Sequence, residues 1–202
     1  MVTAKDLAAI ILLMLWYSTP AYVANGLAVI LGKNSRPIDN YKVFIDGRRI
    51  LGDGKTIGGF IGGIMVGFLA TIIQLPFRGL ILSFALETAI REGISTTVIC
   101  RIPSLIAATS FSGFLMRGFL LSLGAMLGDL IGSFIKRRLG LERGAPCIPL
   151  DQLDFIIVAL LIGSLVTPIP LQYILVFLAV TFIAHITANF IAYKLGAKNR
   201  FP

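Results

Sequence analysis

The chain has 202 residues, of which 56% are apolar and only 14% are charged, and its formal net charge is +8. Soluble domains usually carry about 25% charged residues, so this sequence cannot cover a globular surface with polar groups. The composition excludes an ordinary soluble domain and predicts a protein whose surface lies mostly in lipid.

The first two predicted spans carry no charge. Leu7–Leu31 exceeds the roughly 7–15 apolar residues of a signal peptide, so we interpret it as a retained helix with a kink at Pro20. The second span is Ile57–Phe77. Its glycines repeat every four residues, a spacing that lets helices approach closely in lipid. The two series are Gly54, Gly58 and Gly62, and Gly59, Gly63 and Gly67.

The middle of the chain is less regular. Between Arg78 and Ser110 charged residues interrupt the apolar runs, and we interpret this region as interfacial or re-entrant helices, with a sixth span as the alternative. The next full span is Gly118–Ile135, or starts near Phe111. The long apolar stretch that follows breaks at two prolines, 168 and 170, into spans at about 153–167 and 170–194.

These elements predict an all-α integral membrane protein, a single transmembrane domain over 1–202 with about five transmembrane helices and two cytoplasmic loops. Of the 18 lysines and arginines, 5 fall on the side of the N-terminus and 13 on the other side. Positive loops face the cytoplasm. We therefore predict a multi-pass cell-membrane protein with its N-terminus outside and both loops and the C-terminus inside.

Three carboxylates are expected to meet at the cytoplasmic interface. Asp129 lies about two turns before the end of its span, and Ser133 and Lys136 follow at i+4 and i+7 on the same helix face. Asp151 and Asp154 open the next span, at i and i+3. A short loop joins the two helix ends, so their carboxylates could converge.

Loop 2, Lys136–Gly144, adds side chains that suit phosphate oxygens. Hard divalent cations prefer oxygen ligands, and Mg²⁺ typically takes one or two carboxylates plus substrate phosphates. Taken singly, the basic run 136–138 could anchor topology and Asp151 could cap a helix. Together the features favour a phosphate–metal site, with Asp129, Asp151 and Asp154 as candidate ligands. Its basic members are Lys136, Arg137, Arg138 and Arg143.

Loop 1, residues 32–56, ends in a glycine-rich segment that leads into the second span. Glycines expose backbone N–H groups, and a helix N-terminus is a ready anion site. A Walker A loop is excluded, because that motif requires glycine where Arg49 stands. We expect a phosphate-contacting loop, with a simple turn as the alternative. Its candidate phosphate contacts are Asp53, Gly54, Lys55, Thr56, Gly58 and Gly59.

Other polar residues give weaker signals. His185 lies mid-span in the last helix with Asn189 at i+4, and both an interhelical hydrogen bond and a proton relay or substrate contact stay open. Cys100 and Cys147 lack the spacing of a zinc or redox site, so we interpret them as ordinary small residues.

The motif Gly128-Asp129-x-x-Gly132-Ser133-x-x-Lys136-Arg137-x-x-Gly140, followed by Asp151-x-x-Asp154, resembles the signature of CTP-dependent phosphatidate cytidylyltransferases. The Gly-Asp-Gly-Lys-Thr-x-Gly-Gly loop and the small size resemble the archaeal branch of that family, the CDP-archaeol synthases. The resemblance covers essentially the whole chain. The sequence departs from the bacterial pattern because it lacks extra spans and a glycine- and histidine-rich stretch before Asp151.

The resemblance implies that CTP and a glycerol phosphate with two geranylgeranyl ether chains give CDP-archaeol and pyrophosphate. It implies that the three aspartates hold Mg²⁺, that Lys55, Lys136 and Arg137 steady the phosphates, and that loop 1 covers the nucleotide. Ser133 would ligate the metal or hydrogen-bond a phosphate. The expected partners are CTP, an isoprenoid ether lipid phosphate and membrane lipids, with no nucleic acid; the sequence does not indicate an oligomeric state.

Three other classes of protein fit less well. Transporters often show internal repeats and polar sites at mid-membrane, whereas here the polar cluster is at the interface and no repeat near 100 residues stands out. The D-G-x-x-A-R motif of CDP-alcohol phosphotransferases is absent from the sequence. A non-catalytic assembly protein would not need three acidic residues beside four basic ones.

Overall fold

The computed structural model describes residues 3–108, 110–142 and 144–194, and this part of the chain contains helices and loops without a strand. Four helical runs are long and apolar enough to cross a membrane. The all-α membrane fold is thus confirmed. The helices are α1 (Ala4–Leu31), α2 (Ile57–Gln74), α3 (Arg78–Arg91), α4 (Thr96–Ile99), α5 (Ile102–Ala107), α6 (Phe111–Arg138), α7 (Leu150–Gly163) and α8 (Leu171–Lys194).

Several predicted boundaries move. A 3₁₀ turn, Leu75–Phe77, joins α2 directly to α3, so the second apolar run reaches Arg91 instead of ending at Phe77. The span predicted at 153–167 is α7, which has only 14 residues and is about 21 Å long. A bilayer core is about 30 Å thick, so the fourth predicted span is a short helix beside four long ones. The earlier start of α6, at Phe111, is confirmed.

Helix α1 continues through Pro20 because the bond that proline removes is replaced from another helix. Proline has no N–H to donate to the carbonyl four residues earlier, which here belongs to Trp16. The side chain of Gln74, in α2, donates a hydrogen bond of 2.9 Å to that carbonyl oxygen. In lipid an unsatisfied carbonyl would be costly, so Gln74 supports the helix and also ties α2 to α1.

The glycine series in α2 packs against α1, as its spacing predicted. A Cβ atom built on Gly59 would lie 2.9 Å from the carbonyl oxygen of Ala28, and one on Gly67 would lie 2.6 Å from that of Pro20. Any larger residue would force the helices apart. The close approach places the end of α1 beside the start of α2, where loop 1 leaves the membrane.

A second glycine series, in α6, receives α7. A Cβ atom on Gly124 would lie 2.7 Å from the Cα of Ala159, and one on Gly128 would lie 2.8 Å from the Cα of Phe155. One turn further on, a Cβ atom on Gly132 would collide with the carboxylate of Asp154. The absence of side chains on this α6 face therefore sets where that aspartate lies.

The region between the second and third long helices packs against the N-terminal half of α1. Its anchor is Arg117 of α6, which is 2% exposed. The guanidinium donates to the carbonyls of Ser104 and Leu105 in α5, at 3.4 and 2.9 Å, and lies 4.6 Å from the ring centre of Phe114. Short helices that could not span the bilayer alone are held in place in this way.

Candidate active site

Two lysine–aspartate pairs lie where loop 1 meets the ends of α6 and α7. Lys55 of loop 1 donates to both carboxylate oxygens of Asp129 in α6, with Nζ–Oδ distances of 2.7 and 2.6 Å. Lys136, two turns further along α6, donates to Asp151 of α7 at 2.6 Å. All four side chains are partly exposed. Ion pairs therefore connect loop 1 to α6 and α6 to α7.

Asp151 also organises the connection that precedes α7. Its second carboxylate oxygen accepts a hydrogen bond of 2.9 Å from the backbone N–H of Cys147. Asp151 lies in the first turn of α7, where a negative charge is favoured by the helix dipole. The position of this aspartate thus has a local structural reason beside its contact with Lys136.

Asp154 differs from the other two aspartates, because no lysine binds it among the described residues. Its carboxylate lies against Gly132, and one oxygen accepts a hydrogen bond of 2.7 Å from the N–H of Phe155. The carboxylate of Asp154 interacts electrostatically with the charges of Asp129, Lys55 and Lys136. Within the described ranges no three acidic, histidine or cysteine side chains already form a metal-binding group, so the metal assignment stays a prediction.

A cavity of about 270 Å³ lies between loop 1, α6 and the start of the connection to α7. It contains predicted members of the site from both loops. Four basic side chains line it, together with a glycine-rich stretch of backbone, which is a suitable environment for phosphates. The lining residues are Arg49, Leu51, Gly52, Asp53, Gly54, Lys55, Ser133, Lys136, Arg137 and Gly144.

Arg137 is the basic residue of this cavity that has no side-chain hydrogen bond in the described part of the chain. Its Nε atom is buried and unpaired. Loop 1 passes close by at Gly52, whose φ of +92° favours glycine; a Cβ atom there would lie 3.9 Å from the Cδ of Arg137. An unpaired guanidinium beside exposed backbone can bind an anion without first giving up another partner.

Arg138, the next residue, is instead a structural clamp. Its guanidinium donates to the carboxylate of Asp46 at 2.9 Å and to the carbonyl of Arg49 at 2.5 Å, and it lies between the rings of Phe44 and Phe134 at 4.8 and 4.9 Å from their centres. Arg48 returns the contact, because it donates to the carbonyl of Arg138 at 2.6 Å. This reciprocal clamp fastens loop 1 to the end of α6.

A buried carboxylate that the sequence analysis missed fixes the inner part of loop 1. The side chain of Asp39 is fully buried. It accepts hydrogen bonds from the N–H groups of Leu51 and Gly52, both at 3.0 Å, and from Arg49 at 2.7 and 3.2 Å. Arg49 in turn holds Asp53 at 2.7 Å. Asp39 therefore positions the backbone that lines the cavity.

The charge state of Asp39 follows from these contacts. Burial by itself would raise the pKa of the Asp39 carboxyl, but the hydrogen bonds from Arg49, Gly52 and Leu51 hold it well below its usual range. The contact with Asp39 likewise raises the pKa of Arg49. The only signal in the sequence was the mixture of acids and bases in loop 1, which does not say which residues pair.

The other predicted nucleotide contacts lie mainly in helix packing. Thr56 caps α2 by accepting from the N–H of Gly59 at 3.2 Å, and Ser35 accepts from the N–H of Gly58 at 2.8 Å. The predicted anion site at the start of α2 is not supported, because these donors are already used. Asp53 and Gly54 do line the cavity, whereas Arg143 lies outside the described residues.

His185 of α8 packs beside the site rather than in the cavity. Its ring stacks on Phe155, with 5.7 Å between ring centres, and lies 6.5 Å from the ring of Tyr22. Phe155 follows Asp154 in α7. The histidine thus belongs to an aromatic cluster that joins α1, α7 and α8.

Comparison with known proteins gives a consistent result. The family model described as CarS-like, CDP-archaeol synthase, matches residues 7–201. The CDP-archaeol synthase of Methanocaldococcus jannaschii is 43% identical over 185 residues, which cover 92% of this chain and 93% of that protein. That of Pyrococcus horikoshii is 44% identical over 186 residues, with coverages of 91% and 92%.

A solved structure is similar over nearly the whole chain. It is that of an intramembrane enzyme for archaeal membrane lipid biosynthesis, with a TM-score of 0.65 and 31% identity. The match covers 89% of this chain and 94% of that one.

Proposed function

This chain belongs to the CarS-like family of CDP-archaeol synthases, and on that premise we propose how its own side chains carry out the reaction. The enzyme transfers CMP from CTP to 2,3-di-O-geranylgeranylglyceryl phosphate, giving CDP-archaeol and pyrophosphate. An oxygen of the lipid phosphate forms a bond to the α-phosphorus of CTP. The bond from that phosphorus to the β-phosphate oxygen breaks, and pyrophosphate leaves, so no side-chain nucleophile is required.

The observation that carries the proposed site is that Lys55 and Lys136 line one cavity while each holds a carboxylate. Both substrates are anions that repel each other, so the main task of the enzyme is to neutralise and align them. We assign the triphosphate of CTP to this cavity, with Arg137 as its first contact. Ser133 and the backbone at Asp53 and Gly54 would complete the contacts, and Arg143 keeps its proposed role in phosphate binding.

The two lysines are proposed to exchange partners when the nucleotide binds. A triphosphate carries more negative charge than a single carboxylate, so it draws Lys55 and Lys136 toward its oxygens. Asp129 and Asp151 are then released from their ion pairs. In the absence of nucleotide the same pairs prevent carboxylates near the membrane from repelling one another.

The released carboxylates fit a hard divalent cation by donor type, since all of them offer oxygen. We propose that Asp129, Asp151 and Asp154 hold Mg²⁺ when CTP is present. A bound cation of this kind neutralises phosphate charge and polarises phosphoryl oxygens. The protein side chains then orient the lipid phosphate and the α-phosphate of CTP relative to each other. The glycine-rich face of α6 fixes the position of Asp154, one of the proposed metal ligands.

We also propose that the N-terminus faces the outside and that the cavity and the C-terminus face the cytoplasm. The support is the distribution of lysine and arginine, 13 of which fall on the proposed cytoplasmic side and 5 on the other. In this orientation CTP enters the cavity from the cytoplasm, and the lipid phosphate reaches the site from the surrounding membrane.

The proposal is tested by Asp151→Asn and Asp154→Asn in enzyme reconstituted in lipid. We expect both variants to lose CTP-dependent pyrophosphate release while they keep the thermal stability of the parent. Glu92→Gln is the control, since among the described residues Glu92 pairs with Lys5 and Arg91, and neither lines the cavity. Full activity in both aspartate variants would overturn the metal assignment, and no turnover of CTP by the parent enzyme would overturn the function.

A further inference from the structure

A second, smaller opening shares Lys55 and Gly54 with the cavity assigned to CTP. It is a crevice of about 50 Å³ between α1, α2 and α6, several times the roughly 10–15 Å³ that one water requires. The ion pair of Lys55 and Asp129 lies in its wall. Its wall also contains Asn25 and Val29 of α1, Phe60 of α2 and Met126 of α6.

Asn25 is the unusual member of this lining. It lies within the membrane-spanning helix α1, six residues or about 9 Å before the end at Leu31. In the described part of the chain its amide has no hydrogen-bond partner, whereas the hydroxyls of Ser18 and Thr19 in the same helix bond to their own backbone. A polar side chain at membrane depth without a partner is costly unless a ligand supplies one.

The crevice borders an exposed apolar side of α1. Val29, one turn from Asn25 on the same face of α1, is 82% exposed and belongs to a helix that crosses the membrane. The triphosphate of CTP is already assigned to the larger cavity, so this apolar border suits an amphiphilic ligand better than a second nucleotide. A lipid headgroup already resides at this depth, and its chains can stay in the bilayer.

We propose that the crevice is the subsite for the phosphate headgroup of the lipid substrate, with the Asn25 amide as a hydrogen-bond donor and Lys55 as the positive charge. This inference rests on the proposed function. Lys55 then stands between the two substrates, because it lines both the crevice and the CTP cavity. The attacking phosphate oxygen would thus approach the α-phosphorus from the membrane side.

The test measures two Michaelis constants in enzyme reconstituted in nanodiscs: that for lipid phosphate at saturating CTP, and that for CTP at saturating lipid phosphate. For Asn25→Leu we expect the constant for lipid phosphate to rise about tenfold, the usual effect of losing one hydrogen bond to a charged group, with the constant for CTP unchanged. Asn25→Asp, which keeps the size but adds a negative charge, should raise it further. Thr19→Val, a polar-to-apolar change in the same helix, is the matched control.

Each outcome distinguishes the subsite from the function. If the parent enzyme turns over both substrates and Asn25→Leu keeps the parent constant for lipid phosphate, the subsite is wrong while the function stands. An equal rise for both substrates also overturns the subsite, since it indicates a general distortion. A changed inhibition constant for inorganic pyrophosphate, with an unchanged constant for lipid phosphate, would assign the crevice to free phosphates and overturn the proposal.

Discussion

Lys55 binds both carboxylate oxygens of Asp129, at 2.7 and 2.6 Å, although 74 residues separate the two in the chain. If they act as one unit that opens for CTP, Lys55→Met and Asp129→Asn should each reduce kcat/KM by at least about a hundredfold, the range typical of lost transition-state contacts. The double variant should be no worse than the poorer single one, because neither residue works without the other. Pyrophosphate release by the four enzymes forms the double-mutant cycle. Additive losses would show that the two residues act independently.

Arg137 and Arg138 are adjacent, but we expect substitutions of the two residues to have different effects. Arg137→Met removes the unpaired guanidinium at the cavity, and we expect weaker CTP binding with an unchanged melting temperature. Arg138→Met breaks the clamp with Asp46, Phe44 and Phe134, and we expect a lower melting temperature. Calorimetric titration with CTP and thermal unfolding separate the two effects. The assignment fails if the Arg138 variant is as stable as the parent and the Arg137 variant is not.

Gly132 and Gly128 offer a second contrast between neighbouring positions on one helix face. Gly132→Ala places a methyl group against the carboxylate of Asp154, a side chain that can rotate away, so activity should fall while the fold is kept. Gly128→Ala meets the backbone of α7, including the Cα of Phe155 at 2.8 Å, and should lower stability by the usual cost of overpacking, about 1–3 kcal/mol. Melting temperature and turnover are measured for both. An inactive but fully stable Gly128 variant would contradict this division.

Asp39 should control the affinity for CTP through loop 1. Asp39→Asn leaves Arg49 without its buried charge partner and weakens the bonds to Leu51 and Gly52. We expect the KM for CTP to rise about tenfold, with a smaller change in the KM for lipid phosphate. Asp6→Asn makes the same exchange at a buried aspartate of α1 that bonds to Thr3 and Ser95, and it should leave the ratio of the two constants unchanged. If both variants change the ratio of the two Michaelis constants equally, Asp39 is a general stabilising residue and does not specifically control CTP affinity.

The lowered pKa of Asp39 gives a prediction for acid conditions. Because the folded pKa lies below the unfolded value near 3.9, the carboxylate stabilises loop 1 at all higher pH and loses this effect only as the pH falls through the folded pKa. Protection of the Leu51 and Gly52 amides from hydrogen exchange, corrected for intrinsic rates, should therefore stay constant between pH 7 and about pH 4.5. A loss of protection already at pH 6 would contradict the charge state inferred from the hydrogen bonds.

The architecture could be predicted where a single physical requirement dominated the sequence. Lipid demands long uncharged helices, so α1 and α8 are near their predicted limits, and the spacing of Gly59, Gly63 and Gly67 correctly indicated close packing. The limits of α7 were misjudged, because composition fixes how apolar a segment is and not where a short helix stops. Likewise the continuation of α2 into α3 depends on a turn at Leu75–Phe77 that periodicity does not encode.

The sequence predicted which residues belong to the site better than it predicted which of them form ion pairs or hydrogen bonds. The motif around Asp129 and Lys136 identified residues that do lie near one another. It did not show that Lys55 and Lys136 hold the aspartates, because an acid and a base far apart in the chain pair only through the fold. Asp39 was missed for the same reason, since its five hydrogen bonds come from a loop without periodic pattern. The packing roles of Gly58 and Thr56 likewise depended on α1.

The bond from Gln74 to Trp16 has a mechanical consequence for turnover. A second bond, from the Thr56 hydroxyl to the carbonyl of Gly32 at 3.2 Å, joins the same two helices at their opposite end, about 27 Å away along α2. Two hydrogen bonds so far apart restrict both sliding of α1 along α2 and changes in their crossing angle. The α1–α2 pair therefore acts as a fixed unit, and any movement that admits a lipid must come from the helices packed against it.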